Sequence, residues 1–351
     1  MQNPNYKLLE LENREVDKTW IEIERAGVIK SVSNYLLCQV IFACHQAGIA
    51  ASLYQQEEIN EEEIYKNRDS YLCKHLLNYL ETHDLLTVKN NTIKVKKEAE
   101  GWFSPVAGAQ LGFYLEAYGP VVREIPSLIS GKSIYGEDVL RNGRALGIHC
   151  ATLFQSYHTD TVLQALSDKS SSHILDLGCG AGQFLIDACL RDPSLTGVGL
   201  DISAPAIEEA NELCIKYNLT NRLTFVVGDA FQPDSWSEEC RKADVICAVG
   251  VIHEHFRDGE QAVINILNTY AKSMKNKCKR FILGEPEIRY DLEKNDCDLY
   301  LVHIFTAQGF PRYREEWMEI IEKTDFDCLG VYSRPHGGPR FNFFVLETPD
   351  I

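Results

Sequence analysis

The chain lacks any unbroken run approaching eighteen apolar residues, which removes a membrane-spanning helix from the expectations. Its opening stretch, MQNPNYKLLELENREVDK, has neither the basic start nor the apolar core of a secretory signal. The expectation is a cytoplasmic protein with no membrane partner. There is no C-x-x-C pair. The twelve cysteines are scattered from Cys38 to Cys328, mostly within apolar segments, which fits reduced and buried thiols better than a disulfide framework. Positive charge is also scarce: 35 Lys and Arg stand against 51 Asp and Glu, for a formal net charge of -16. That balance argues against nucleic acid or any other polyanion as a partner. No internal repeat and no low-complexity tract is present.

What remains is a chain of 351 residues, 45% hydrophobic, long enough for two cores. Residues 1–100 carry helical patterns. SNYLLCQVIFACHQAGIAASL predicts a buried helix ending near Gly48, and DSYLCKHLLNYLETHDLL repeats its apolar residues at three and four. LLTVKNNTIKVKK alternates around Asn90 and Asn91 and predicts a hairpin. Helices followed by a small hairpin suggest a winged-helix-like unit. Its acidic QQEEINEEEIY would repel phosphate, so dimerisation or pocket covering is expected of it rather than DNA binding. Residues 101–169 are rich in Gly, Tyr and Phe and read as a helical or looped connector covering a pocket. From residue 170 onward HILDLG, TGVGLDIS, LTFVVGD, ADVICAVGV and RFILGEP alternate with helical stretches. This predicts an α/β fold with a Rossmann-like parallel sheet, its ligand at the strand carboxyl ends.

HILDLGCGAGQFLIDAC, residues 173–189, joins a strand to a helix through Gly178, Gly180 and Gly182. Missing side chains there permit positive φ and a close approach of ligand to backbone, and the helix amino terminus favours an anion. The spacing is G-x-G-x-G rather than the G-x-G-x-x-G of dinucleotide sites, with Asp176 directly before it. Asp201 ends the second strand, suitably placed for both hydroxyls of a ribose, and Asp229 ends the third, within reach of an adenine amine. Three acids on three successive strand ends beside such a turn resemble class I S-adenosylmethionine-dependent methyltransferases over residues 170–350. The resemblance implies S-adenosyl-L-methionine as cofactor, with Gly178 and Gly180 along its methionine half, Asp201 and Ile202 at the ribose side, and Asp229 with Ala230 at the adenine. Dinucleotide reduction is the other use of such a sheet, but Gly182 falls where that fingerprint needs a later glycine, and Asp229 has no role there.

The methyl acceptor is approached through VGVIHEHFRDG after the fourth strand. His253, Glu254 and His255 fall where this family's pocket opens, and DLYLVHIFTAQGF adds His303 on a helix. The whole chain resembles natural-product methyltransferases that include carboxylate O-methyltransferases and 2-oxo acid C-methyltransferases. The second kind implies a metal ion on two histidines, here His253 and His303 with Glu254 as a possible added ligand. The first kind implies no metal, a histidine that orients the acceptor, and an arginine that neutralises its acid: Arg289, Arg312, Arg334 or Arg340. His336, in a turn before the alternating FNFFVLE, is a further candidate for substrate contact. Oxygen methylation of a small or peptidic acid by a homodimer asks least of the sequence. Metal-assisted carbon methylation is the alternative, and a regulator with a ligand-sensing methyltransferase-like half is the third.

Overall fold

The computed structural model describes residues 9, 13–167, 172–274, 280–289, 296–309, 312–333 and 340–349, apart from the side chains of residues 155–157 and 296. The chain divides into two compact units, Met1–Leu111 and Gly112–Ile351. The first contains α1 (Arg14–Arg25), α2 (Val28–Gln46), α3 (Ile49–Gln55), β1 (Ile59–Asn60), α4 (Glu61–Tyr65), α5 (Ser70–Thr82), β2 (Leu86–Lys89) and β3 (Thr92–Val95). Asn13 and Asp69 cap α1 and α5 by accepting backbone N–H groups of Val16 and Leu72. The hairpin forms where alternation places it, with Asn90 and Asn91 both at positive φ in the turn, and β1 completes a sheet in the order β1-β3-β2. The core of this unit runs from Ile41 and Leu53 through Leu77 and Leu80 to Ile93 and Phe103.

Helix α2 departs from the expectation of full burial. Leu37, Ile41, Phe42 and Cys44 are buried, but Val28, Ile29, Val32, Tyr35 and Leu36 are exposed, as are Trp20 and Ile21 on α1. Among the described residues α2 is also the one helix long and apolar enough to cross a membrane by length and composition. The count of unbroken apolar residues misses this because Lys30, Ser31, Ser33 and Asn34 interrupt the run. Among the described cysteines all are free, and six are buried.

After α6 (Pro105–Gly112) the chain makes a π-helical turn, Phe113–Ala117, then α7 (Gly119–Arg123), α8 (Ile125–Ile129) and the long α9 (Gly143–Ala165), which Asn142 caps. The sequence pattern gave only a loop or short helix at the start of α9. The sheet is assembled from β4 (His173–Leu177), β5 (Thr196–Asp201), β6 (Leu223–Val227), β7 (Val245–Val249), β8 (Arg280–Pro286), β9 (Asp327–Ser333) and β10 (Phe341–Glu347). Its order is β6-β5-β4-β7-β8-β10-β9. Strands β4 to β8 are parallel, and β10 runs antiparallel to both β8 and β9. The intervening helices are α10 (Gln183–Arg191), α11 (Ala204–Lys216), α12 (Glu238–Arg241), α13 (Glu260–Met274), α14 (Asp296–Phe305) and α15 (Arg314–Ile321). Both faces of the sheet carry apolar cores, one around Leu175, Ile246, Phe281 and Trp317, the other around Ile174, Leu185, Phe225 and Phe343. Strand order reverses at β4, which opens a crevice at its carboxyl end.

Candidate active site

The crevice is lined first by the glycine turn. Gly178 has φ +71°, and a Cβ there would stand 2.9 Å from Val251 Cγ2, so both conformation and space exclude a side chain. The amides of Gly178 and Cys179 bond to the Leu200 carbonyl at 2.8 and 3.2 Å, which pins the turn to β5. Asp201 then clasps it: one carboxylate oxygen accepts from Gly180 N at 2.9 Å and the other from Ser203 N at 2.8 Å. Asp176 is buried beneath, paired in register with Gly199 and Cys247 on its two neighbouring strands. Burial, with Asp201 close by, pushes its carboxyl up to about 8. Two acids so placed at an open glycine turn suit a ligand that carries positive charge.

Asp229 is engaged locally, its oxygens accepting from Phe231 N at 2.8 Å and Gln232 Nε2 at 2.9 Å. Its carbonyl accepts from Trp236 Nε1, and the carbonyl of buried Ala230 accepts from Tyr270 OH. The loop after β6 is therefore held in shape, while Ile202 leaves an apolar side chain 77% exposed at the neighbouring strand end.

On the other side of the crevice, His253 lies buried in the 3-10 turn Ile252–Asp258 that follows β7. Its Nδ1 meets Glu285 Oε2 at 2.7 Å, and Glu285 Oε1 accepts from Ile252 N at 2.8 Å. Glu285 is fully buried on β8. A carboxylate accepts, so Nδ1 carries a proton and donates it to Glu285. His303 on α14 shows the same pattern: Nδ1–H donates to the Leu299 carbonyl at 2.7 Å. Burial above all, then the nearness of His253, pushes His303 down to about 3, so it is a neutral acceptor at Nε2. The ring centres are 5.7 Å apart. Gly309 secures the loop after α14: its N–H bonds the Glu254 carbonyl at 3.1 Å, and a Cβ there would fall 2.1 Å from the His253 carbonyl oxygen.

The guanidinium beside this pair belongs to Arg141, in the segment before α9. It bonds Glu254 Oε1 at 3.2 Å and Tyr118 OH at 3.5 Å, and Gln308 Nε2 donates to the same hydroxyl at 3.2 Å. Tyr118 is buried directly after the π-helical turn, a device common at functional sites. Sequence reasoning missed Tyr118, Arg141, Glu285 and Gln308. A carboxylate four residues before GEPEIR's arginine was the one available signal, in Glu285. Of the arginines singled out from the sequence, Arg289 pairs with Glu287 at 2.8 Å and Arg312 lies over the Phe256 ring at 4.7 Å. The Arg340 carbonyl accepts from Glu287 N. Arg334 and His336 lie outside the described residues. His255 packs edge-on against Phe231. Among the described residues no group of three or more His, Cys, Asp or Glu forms a ready metal cluster.

Residues 168–324 match the family described as "Methyltransferase domain". This stretch of the chain is thus similar to a methyltransferase domain. Curated relatives of this chain include the 2-ketoarginine methyltransferase of Streptomyces arginensis, 24% identical over 55% of this chain and 56% of that protein. The 8-amino-8-demethylriboflavin N,N-dimethyltransferase of Streptomyces davaonensis is 26% identical over 51% of this chain and 49% of its own. The indolepyruvate C-methyltransferase of Streptomyces griseus is 25% identical over 48% and 52%. The chain thus spans about half the length of the curated relatives it matches. In fold the chain is similar to the mitomycin 7-O-methyltransferase MmcR, with a TM-score of 0.63 and 16% identity over 93% of this chain and 100% of that one.

The cofactor of such a domain is S-adenosylmethionine, and the residues present fit it. Buried Asp176 complements a positively charged group, Asp201 at the end of β5 can accept from ribose hydroxyls, and the unobstructed face of Gly180, with nothing within 4 Å of a Cβ placed there, leaves room for the ligand.

Proposed function

We propose that this protein methylates a small natural-product acid, and that the acceptor is the enolate carbon of a 2-oxo acid. The observation that carries this reading is the pair of buried imidazoles, each anchored through Nδ1 and with ring centres 5.7 Å apart. Oxygen methylation needs one base, and His253 with Glu285 supplies it; a second imidazole anchored in the same way is superfluous there. Two of the relatives act, by name, on 2-ketoarginine and indolepyruvate, both 2-oxo acids, which supports the same reading.

In this scheme Arg141 receives the substrate carboxylate, held in place by Glu254 and Tyr118. Tyr118 already accepts from Arg141 and Gln308, so its own O–H is left to donate to the bound acid. The transfer is an in-line displacement, for which the chain mainly supplies alignment and the exclusion of water. Buried Glu285 holds the His253 ring through Nδ1 and leaves Nε2 as the atom that would bind a metal ion. Asp176 faces the positive groups of the methyl donor, and Asp201 its ribose. A metal ion on His253 and His303 would lower the cost of enolate formation.

Elemental analysis of protein purified without a polyhistidine tag, with turnover of 2-oxo, hydroxy and carboxylic acids measured in excess chelator, tests the proposal. Stoichiometric metal and chelator-sensitive turnover of a 2-oxo acid are expected, with His253→Ala and His303→Ala each losing metal and about 10²- to 10⁴-fold in turnover. Chelator-resistant methylation of an oxygen, dependent on His253 alone, would overturn it.

The exposed apolar row on α1 and α2, with Trp20, Val32 and Tyr35 at its centre, supports a homodimer formed through the first unit. A monomer by light scattering at micromolar concentration would exclude this.

A further inference from the structure

Three successive residues at the end of the π-helical turn each hold a residue at or near the start of α9. The Tyr118 hydroxyl accepts from Arg141 at 3.5 Å, the Ala117 carbonyl accepts from Asn142 N at 2.9 Å, and the Glu116 carboxylate accepts from His149 Nε2 at 2.9 Å. Asn142 follows Arg141 directly and caps α9 through the amide of Ala145, so the turn fixes both where the helix begins and where the guanidinium stands. The third contact lies two turns further along α9, and the proposed reaction makes no direct use of it.

What it does follows from the geometry of the turn. The amide of Tyr118 bonds the Phe113 carbonyl at 3.1 Å, five residues back, where an α-helix would reach four. One residue more per turn rotates all that follows by about 100° relative to a regular helix, so this turn decides which way Tyr118 faces. Relaxation to α geometry would carry the phenol away from Arg141. The imidazole of His149 holds the turn from outside. Its side chain is only 12% exposed and lies against Gly112, the residue before the turn, where a Cβ would stand 2.2 Å from Cε1 and 2.3 Å from Nε2. Gly112 has an ordinary helical φ of -62°, so space and not conformation calls for glycine there. Glycine weakens the end of α6, and the imidazole is what it makes room for.

We propose that Glu116 and His149 are positioning residues, a clasp that fixes the π-helical turn and through it sets the Tyr118 hydroxyl and the Arg141 guanidinium for the acceptor's carboxylate. The proposal rests on the reading of Arg141 as the group that receives that carboxylate. Ligand-detected NMR titration of pyruvate, the smallest 2-oxo acid, into the full chain saturated with S-adenosylhomocysteine tests it, alongside calorimetric titration of S-adenosylhomocysteine itself. Glu116→Ala should weaken pyruvate about 10-fold and leave S-adenosylhomocysteine unchanged. Glu116→Gln, whose amide oxygen still accepts from Nε2, should recover most of that loss. Gly112→Ala keeps both partners but fills the space of the imidazole; it should weaken pyruvate as Glu116→Ala does, with no loss of helix by circular dichroism. In an Arg141→Gln background Glu116→Ala should change pyruvate affinity less than about twofold, because the clasp acts through the guanidinium, whereas a general loosening of the fold would add in full. Undiminished pyruvate affinity in Glu116→Ala, equal losses for the two ligands, or full additivity with Arg141→Gln would overturn the proposal while the reading of Arg141 stands. Undiminished pyruvate binding in Arg141→Gln, or no pyruvate binding by the unaltered chain, would overturn both.

Discussion

Asp176, Asp201 and Asp229 each stand at or near the end of a strand in an unbroken stretch of sequence, whereas Tyr118, Arg141, His253, Glu285 and His303 reach their pocket from separate elements. The first rim is a property of strand ends: wherever β4, β5 and β6 pair in register, the acids and glycines follow. The second is a property of packing, since His253 is aimed by a carboxylate on another strand and Arg141 by a tyrosine and a glutamate distant in sequence. A crevice built in these two ways keeps its cofactor side fixed by fold and leaves its acceptor side open to revision.

That contrast is broken most severely through Asp201. Asp201→Ala removes the carboxylate that clasps the glycine turn and is assigned to the ribose. Cofactor affinity should fall by about 2 to 4 kcal/mol in calorimetry, with the far-ultraviolet spectrum unchanged. An unchanged dissociation constant would remove Asp201 from the cofactor rim. Arg141→Gln acts on the other side. The KM for the acid should rise about 10- to 100-fold while cofactor affinity stays as it was, because the guanidinium, braced by Glu254, is assigned to the acceptor and not to the cofactor. If both ligands weaken together, the two rims are not independent.

The smallest effect is one of pH. The folded, ligand-free chain holds a proton on Asp176 up to about pH 8, where an unfolded carboxyl has already lost it. The native state therefore binds more protons across that window, and its stability falls as pH rises from the ordinary carboxyl range toward 8. Asp176→Asn should flatten this slope and raise the ligand-free melting temperature at pH 8 by a few degrees. A positively charged cofactor favours the ionised carboxyl, so binding to the unaltered chain near neutrality should release a proton, read as a buffer-dependent binding enthalpy. The same slope in both proteins would show that Asp176 is not the group responsible.

The sheet was legible in advance because its signals are local. Five apolar runs become β4 to β8, FNFFVLE becomes the antiparallel β10, and the alternation around Asn90 and Asn91 becomes the hairpin. The helix carrying His303 was also readable. Helix α9 was not, because glycines at its start resemble a loop until Asn142 is seen to cap the first turn. Arg141 was invisible for a related reason: nothing in RNGRALG distinguishes it from a solvated arginine, and only Tyr118 and Glu254 give it a place. The exposure of half of α2 escaped because an apolar pattern says which face avoids water but not whether this chain alone can cover it.

Strand β10 follows β9 in sequence yet lies inside it in the sheet, hydrogen-bonded to β8 on one side and β9 on the other. During synthesis, then, β9 emerges with no neighbour to join, and the parallel strands wait with β8 as a bare edge. Only when Phe341–Glu347 has left the ribosome are both edges closed at once. A nascent chain halted just short of that segment would expose two unpaired strands, which makes the last strand to be made the one that protects the whole sheet from joining with another.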